Sequence, residues 1–319
     1  MSSALKYLRQ PVVLRVLVLF FGIFCGATAV IMIKASTEQP LLIAAYRLLI
    51  AAVALSPFFF RDLRTSPEPY TWQHLRWAAL PAVILAVNFM AWVFGARMTQ
   101  VASASLISNL TPVAMPFFLW AFYRERVTRR EVLGTVFTLA GLVLLTGSSL
   151  SISHTNFIGD LVCLGTMLTF ACYLALGRKN AARISLWRYI VPLYFMAGLI
   201  CLVCASIFIN PVKAYTLPNV LYILGLGLIP TVIGHTSLNF AMKYFRGQVV
   251  GVANLTQPLF SSVLGFFFLN EQPTAILYIS AAVILVGVLI VLFAGGAPQQ
   301  SPNAELPGET RVVPPVEGD

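Results

Sequence analysis

The chain is poor in charge, and poorest in acid. Only 10% of its 319 residues are charged, and Asp and Glu together number 11. An ordinary soluble domain carries about 25% charged residues, so a water-facing globular surface is excluded. Catalytic signatures are missing as well. No G-x4-G-K-[ST] loop occurs, which argues against ATP-driven work by this chain alone. No D-D-x-x-D or H-x4-D pattern supplies the carboxylate cluster or acid–base pair of a membrane-embedded prenyl or acyl transferase. No metal and no cofactor is expected. The 5 cysteines (Cys25, Cys163, Cys172, Cys201, Cys204) all fall in apolar runs. Cys201 and Cys204 lack a thioredoxin-like context, so packing roles without disulfides are expected.

Apolar runs are what the chain has instead. It is 59% apolar, and continuous stretches of about 20 residues, each able to cross ~30 Å of hydrocarbon, recur along it. Ten are read: 13–34, 41–60, 73–95, 101–123, 131–147, 157–178, 188–209, 218–241, 248–269 and 274–294. The expected fold is an all-α integral membrane protein in the lipid bilayer, and the first run is a membrane helix rather than a cleaved leader. The net charge of +10 is then a topology signal. With the N-terminus cytoplasmic, nearly every Lys and Arg falls on the inner side, and only Lys34, Arg97 and Lys213 fall outside. Nucleic acid is not an expected partner; a bacterial inner membrane with both termini cytoplasmic is the expected location.

Residues 1–12 form the cytoplasmic N-terminus, and 295–319, proline-rich with little apolar bulk, a disordered cytoplasmic tail. The segment Arg61–Thr71 (RDLRTSPEPYT) reads as a solvated linker. Arg97–Gln100 and Phe245–Gly247 are tight turns.

Sliding the second half against the first aligns Pro112 with Pro258, Glu125 with Glu271, Gly141 with Gly287, Phe94 with Phe240 and Arg97 with Lys243. Each half then holds five spans, and an odd number places the second copy upside down. The expected architecture is two inverted five-helix repeats, 13–147 and 157–294, with a solute site between them near the midplane.

Particular residues carry a family resemblance. Tyr46-Arg47, Leu110-Thr-Pro, Tyr123-Arg-Glu-Arg-Val-Thr, Gly134 and Gly141 resemble the first EamA unit of the drug/metabolite transporter superfamily. Gly234-His-Thr-Ser-Leu-Asn-Phe-Ala-Met-Lys, Pro258 and Asn270-Glu-Gln-Pro-Thr resemble the second. The resemblance covers about residues 11–294 and implies a ten-helix transporter of small organic solutes, often an exporter. One departure is Cys25-Gly26, where the family often has Trp-Gly.

Polar groups inside spans are costly and mark candidate sites. Ser105, Ser108, Asn109 and Pro112 share one helical face, as do Asn254, Gln257 and Ser261; Asn88 with Trp92 and His235 with Asn239 form i, i+4 pairs. Together they predict a polar, partly aromatic chamber, against the plainer reading of interhelical hydrogen bonds. Pro112 and Pro258 fall near mid-span and are read as hinges that free the carbonyls of Ser108 and Asn254. Glu125 and Glu271 end their helices at opposite faces, as gate or structural cap. The expected partners of Glu125 are Arg124, Arg126, Arg129 and Arg130, and those of Glu271 are Lys34 and Arg97. Arg47, the deepest cation, reads either as a contact for a substrate carboxylate or phosphate or as a structural donor to carbonyls of neighbouring helices that snorkels outward. No role is found for Pro116. The expected function is a secondary transporter, an exporter of an amino acid or related metabolite by alternating access. The alternatives are a cationic or hydrophobic drug exporter and, disfavoured, a transferase. Gly22-x3-Gly26 and Gly247-x3-Gly251 permit close helix approach, and monomer or homodimer is left open.

Overall fold

The computed structural model describes residues 12–98, 107–147, 157–181, 183–269 and 275–294, and these are helical with no strand. The helices are α1 (Val12–Ala35), α2 (Pro40–Thr65), α3 (Trp72–Met98), α4 (Thr111–Tyr123), α5 (Arg129–Gly147), α6 (Phe157–Ala181) and α7 (Leu186–Phe208). Then follow α8 (Leu217–Leu226), a π-helical segment (Gly227–His235), α9 (Thr236–Tyr244), α10 (Gly247–Asn254), α11 (Gln257–Leu269) and α12 (Ala275–Ala294). Eight helices are long and apolar enough to cross a membrane; α8 through α9 count as one, and α10 with α11 as another. The fourth and fifth expected spans are not among them: the apolar helix Ile107–Phe122 is shorter, and α5 opens on Arg129, Arg130 and Glu131. The two termini, residues 99–106 and Glu271 lie outside the described residues.

Helix ends follow local chemistry. Pro40 starts α2, where its missing N–H costs nothing. Ser185 caps α7 by accepting the Arg188 N–H. Thr128 and Glu131 form a reciprocal box at the start of α5. The Glu131 carboxylate accepts the Thr128 N–H at 2.7 Å, and the Thr128 hydroxyl accepts the Glu131 N–H at 3.2 Å.

The core packs α2 on α7, α3 on α6 and α7, α1 on the π segment and α11, and α4 on α6 and α10. The pair α5 and α12 is antiparallel, since Gly134 meets Gly287 and Val291 while Gly141 meets Ser280 and Ile284. A Cβ on Gly287 would lie 2.6 Å from the Gly134 carbonyl oxygen, so only glycine permits this seam. Gly22 likewise lies on Ser237 of α9, and Gly247 on Leu119 of α4, both within the bundle.

Arginines gather at one end of the bundle, and there residues 61–65 of the Arg61–Thr71 segment close α2 rather than join a linker. The segment is mostly exposed, as expected, but it is also anchored. Arg188 of α7 pairs with the Asp62 carboxylate at 3.5 Å and donates to the Glu68 carbonyl at 2.9 Å. Ser185 hydrogen-bonds the Asp62 carboxylate as well. Tyr70 packs edge-on against Phe59 and stacks on His74. Burial pushes the Tyr70 phenol above its usual value, while nearby Arg188 pulls it down. The anchor was not foreseen because Asp62 and the Glu68 carbonyl find buried Arg188 more than a hundred residues away, which local composition does not reveal.

Candidate functional site

Arg47 stands two turns into α2, about 10 Å from its start, and is only 4% exposed. Its Nε donates to the Thr231 hydroxyl at 3.0 Å, and its guanidinium lies over the Phe89 ring at 4.4 Å. Thr231 sits in the π segment, where its hydroxyl donates five residues back to the Leu226 carbonyl at 2.8 Å. The wide π turn thus presents a threonine hydroxyl to a buried cation. Among the described residues no carboxylate lies within ion-pair distance of Arg47.

Below Arg47 the polar column continues. His235 packs against Phe89 at 5.2 Å and Phe170 at 6.0 Å, ring centre to ring centre. Asn239, one turn on, donates to the Tyr173 hydroxyl at 2.6 Å and to the His235 carbonyl at 2.8 Å. Tyr194 of α7 lies beside Arg47, Tyr173 and Thr236. Five buried atoms of this column make no well-aligned hydrogen bond to the described residues: His235 Nδ1, Thr236 Oγ1, Asn239 Oδ1, and the hydroxyls of Tyr189 and Tyr194. The Tyr194 hydroxyl still lies near Thr236, Tyr173 and Asn239, and that of Tyr189 near Asn180. Buried polar atoms are nearly always satisfied, so five orphans together call for a guest or water.

Two cavities lie on either side of the column. Toward the arginine-rich end, Gly177, Tyr189, Asn239 and Lys243 enclose a cavity of about 10 Å³, enough for about one water. Toward the other end, Tyr46, Ile50, Tyr215, Val220, Ile223 and Leu224 line an open groove of about 300 Å³. Ile50 is one helical turn from Arg47. The Tyr46 and Tyr215 hydroxyls there share the Pro211 carbonyl, at 3.0 and 2.7 Å. Lys213 pairs with Glu38 at 2.6 Å.

The other expected site residues stand around this column rather than in it. Asn88 sits in the α3–α6 seam, donating to the Thr166 carbonyl at 2.8 Å and the Thr169 hydroxyl at 3.0 Å. Its amide is therefore committed between helices. Trp92 is half-buried one turn further along α3. Ser108 also reaches α6, meeting the Thr166 hydroxyl at 3.2 Å. Asn109 is half-buried in the turn before α4, and buried Asn254 ends α10. Gln257 begins α11, its amide facing Gly26.

Pro112 and Pro258 do stand at helix breaks, as read from the sequence, but not by freeing carbonyls inside a helix. Pro112 and Pro258 are each the second residue of a helix, after a break, not interior kinks. At that position the missing N–H breaks no intrahelical bond. The Ser108 carbonyl is covered by the Thr111 hydroxyl at 3.1 Å. Pro116 now has a role. It removes the N–H that would reach the Pro112 carbonyl one turn back, and Gln248 of α10 supplies a substitute donor at 3.2 Å. The same Gln248 nitrogen donates to Thr135 of α5 at 2.9 Å.

Glu125 is buried, but its expected neighbours in sequence are not its partners. Arg178 of α6 and Arg246 of the α9–α10 turn each approach its carboxylate to 3.4 Å. Arg246 also meets Glu131 at 2.7 Å and hydrogen-bonds the Arg126 carbonyl. Arg124, in a left-handed conformation (φ 57°), instead turns over the Trp120 ring. That turn carries Glu125 inward and leaves Arg124, Arg126, Arg129 and Arg130 exposed. Sequence reasoning passed over Thr231, Tyr173, Tyr194, Arg178, Arg246 and Gln248. For the last three, a polar side chain beside a span end was the available signal.

The chain matches the model of the EamA-like transporter family twice, over residues 14–147 and 157–293. It is 25% identical over 274 residues to an uncharacterized transporter of Archaeoglobus fulgidus, covering 84% of this chain and 93% of the relative. A probable amino-acid metabolite efflux pump of Escherichia coli is 22% identical over 223 residues, covering 66% of this chain and 74% of the pump. A protein crystal structure matches with TM-score 0.75 at 19% identity, covering 88% of this chain and 97% of the solved chain. The helices, two matched units and relatives agree: this chain is a multi-pass membrane protein that belongs to the EamA-like transporter family.

Proposed function

We propose that the protein is a secondary exporter of a small organic solute, an amino acid or related metabolite, working by alternating access. Five orphaned polar atoms beside an uncompensated buried arginine carry this reading. Such a column in lipid is costly unless a solute or water enters it. The solute chamber is lined by Arg47, His235 and Asn239, with Asn109, Asn254 and Gln257 at the helix breaks and Asn88 and Trp92 on its α3 flank. Pro112 and Pro258 mark the hinges, and Glu125 and Glu271 the two ends of the gating path.

The reading takes α4 and α5 as the remaining spans, giving ten helices in two inverted repeats, 13–147 and 157–294. Symmetric packing supports it: α3 on α6 is matched by α8–α9 on α1, and α4 on α6 by α11 on α1. With the arginine-rich end cytoplasmic, both termini in the cytoplasm and a bacterial inner membrane as the location, the shut end faces the cell. The open groove faces outward. The name of the amino-acid metabolite efflux pump is the ground for both cargo and direction.

Reconstitution in liposomes tests the function, with labelled amino acids and metabolites screened with and without a pH gradient. Saturable flux of one solute class is expected. Folded protein that moves no solute would refute the proposal.

A further inference from the structure

The charge in the central column is one-sided. Arg47 brings a cation, and its two terminal amino groups make no hydrogen bond to the described residues. Stacking on Phe89 and the bond from Nε to Thr231 fix the plane of the guanidinium. A fork held at its base matches a carboxylate in bidentate geometry.

Among the described residues nothing comparable awaits an ammonium. The buried acids of the described helices are engaged at the bundle's ends: Glu38 by Lys213, and Glu125 and Glu131 by Arg246 and Arg178. Half-buried Asp62 is held by Arg188 at the arginine-rich end, and Asp160 lies in the first turn of α6, at the opposite end. An amine in the column would meet Asn239 Oδ1 and tyrosine hydroxyls at best, and would be repelled by Arg47. The orphaned hydroxyls of Tyr189, Tyr194 and Thr236 can donate as readily to keto, hydroxyl or acyl oxygens.

We propose that this site reads its solute by the carboxylate and leaves the amine unread, so its preferred cargo is a monoanion such as a 2-hydroxy acid, 2-keto acid or N-acylated amino acid. Thr231 is the positioning residue for Arg47. This rests on the solute-site reading above and narrows it, since a monoanion neutralises the column and a zwitterion does not.

The test is the ligand-induced melting shift of the purified full chain. The probes are leucine and phenylalanine, their 2-hydroxy, 2-keto and N-acetyl acids, and their amides. The monoanions are expected to raise the melting temperature more than the zwitterions, and the amides not at all. Arg47→Gln is expected to weaken the acids roughly 30-fold or more. Thr231→Val should weaken the same acids, and Thr231→Ser should restore them. An amide or zwitterion that matches the acids overturns the inference, as does a shift that survives Arg47→Gln or no shift from any acid at millimolar concentration. If Arg47→Gln does not fold, the wild-type ranking and the Thr231 pair decide. Liposome flux separates the two claims. Transport of solutes lacking a carboxylate sinks this inference alone, whereas no transport of any solute sinks the transporter reading with it.

Discussion

Gln248 and Pro116 should behave as one unit, because one supplies the donor that the other removes. Gln248 is 2% exposed; its nitrogen serves the Pro112 carbonyl and Thr135, while its own Oε1 is buried without a partner. Gln248→Leu therefore loses two hydrogen bonds at about 1 kcal/mol each and strips the Pro112 carbonyl of that donor, at about 1–3 kcal/mol. Removing the orphaned Oε1 returns about 1–3 kcal/mol on the same scale. The expected net loss is about 2 kcal/mol. Pro116→Ala restores an N–H to the same carbonyl and relieves a helix-interior proline, so it stabilises by up to about 3 kcal/mol. In the wild-type background the new N–H competes with Gln248; in Gln248→Leu it fills an empty place. The gain from Pro116→Ala should thus be about 1–2 kcal/mol larger in the leucine background. Reversible unfolding of the four proteins in detergent measures this directly. Additivity within roughly 0.5 kcal/mol, or a Gln248→Leu protein as stable as wild type, would refute the reasoning.

Four further outcomes are expected. Arg246→Met leaves Glu131 without its ion pair and should cost about 3 kcal/mol in the same unfolding assay, with Glu131→Gln recovering most of it. Gly287→Ala must open a 2.6 Å contact to an ordinary 3.4 Å one and should lose about 1–3 kcal/mol. Gly165→Ala, with nothing within 4 Å of its added carbon, should be neutral or gain up to about 1 kcal/mol in the same scan. Pro112→Ala and Pro258→Ala should each shift stability by less than about 1 kcal/mol yet slow flux in liposomes, because each lets a helix run through its break; unchanged flux in both would remove the hinge role.

Apolar runs, prolines and glycines made the helices and the repeat legible, since each acts through its own backbone or its own burial. Pro112 and Pro258 announced breaks in just this way, although their place in the first turn depends on where the preceding helix stops. Arg47, His235 and Asn239 were visible as polar groups too costly to leave in lipid. Their partners were not. Tyr173 and Tyr194 look like ordinary membrane-helix aromatics, and Thr231 becomes distinctive only because a π turn aims it at α2. Glu125 shows the same limit: four arginines surround it in sequence, yet a left-handed turn at Arg124 hands it to Arg178 and Arg246. Pairings at long range depend on backbone direction, and composition carries no record of it.

Reciprocity along the α5–α12 seam bears on the inverted-repeat proposal. The alignment that sets Pro112 on Pro258 makes Gly287 the counterpart of Gly141, and Ser280 the counterpart of Gly134. Gly134 touches Gly287, and Gly141 touches Ser280. Each residue thus meets its neighbour's counterpart, and the neighbour meets its own. A two-fold axis between copies produces this exchange, as at an isologous interface. A duplication with both copies in the same orientation would set counterparts on parallel helices, and α5 and α12 run antiparallel. Under the proposed alternating access, an inverted repeat would need no separate machinery for opening each side, only the same broken helix used twice in opposite directions.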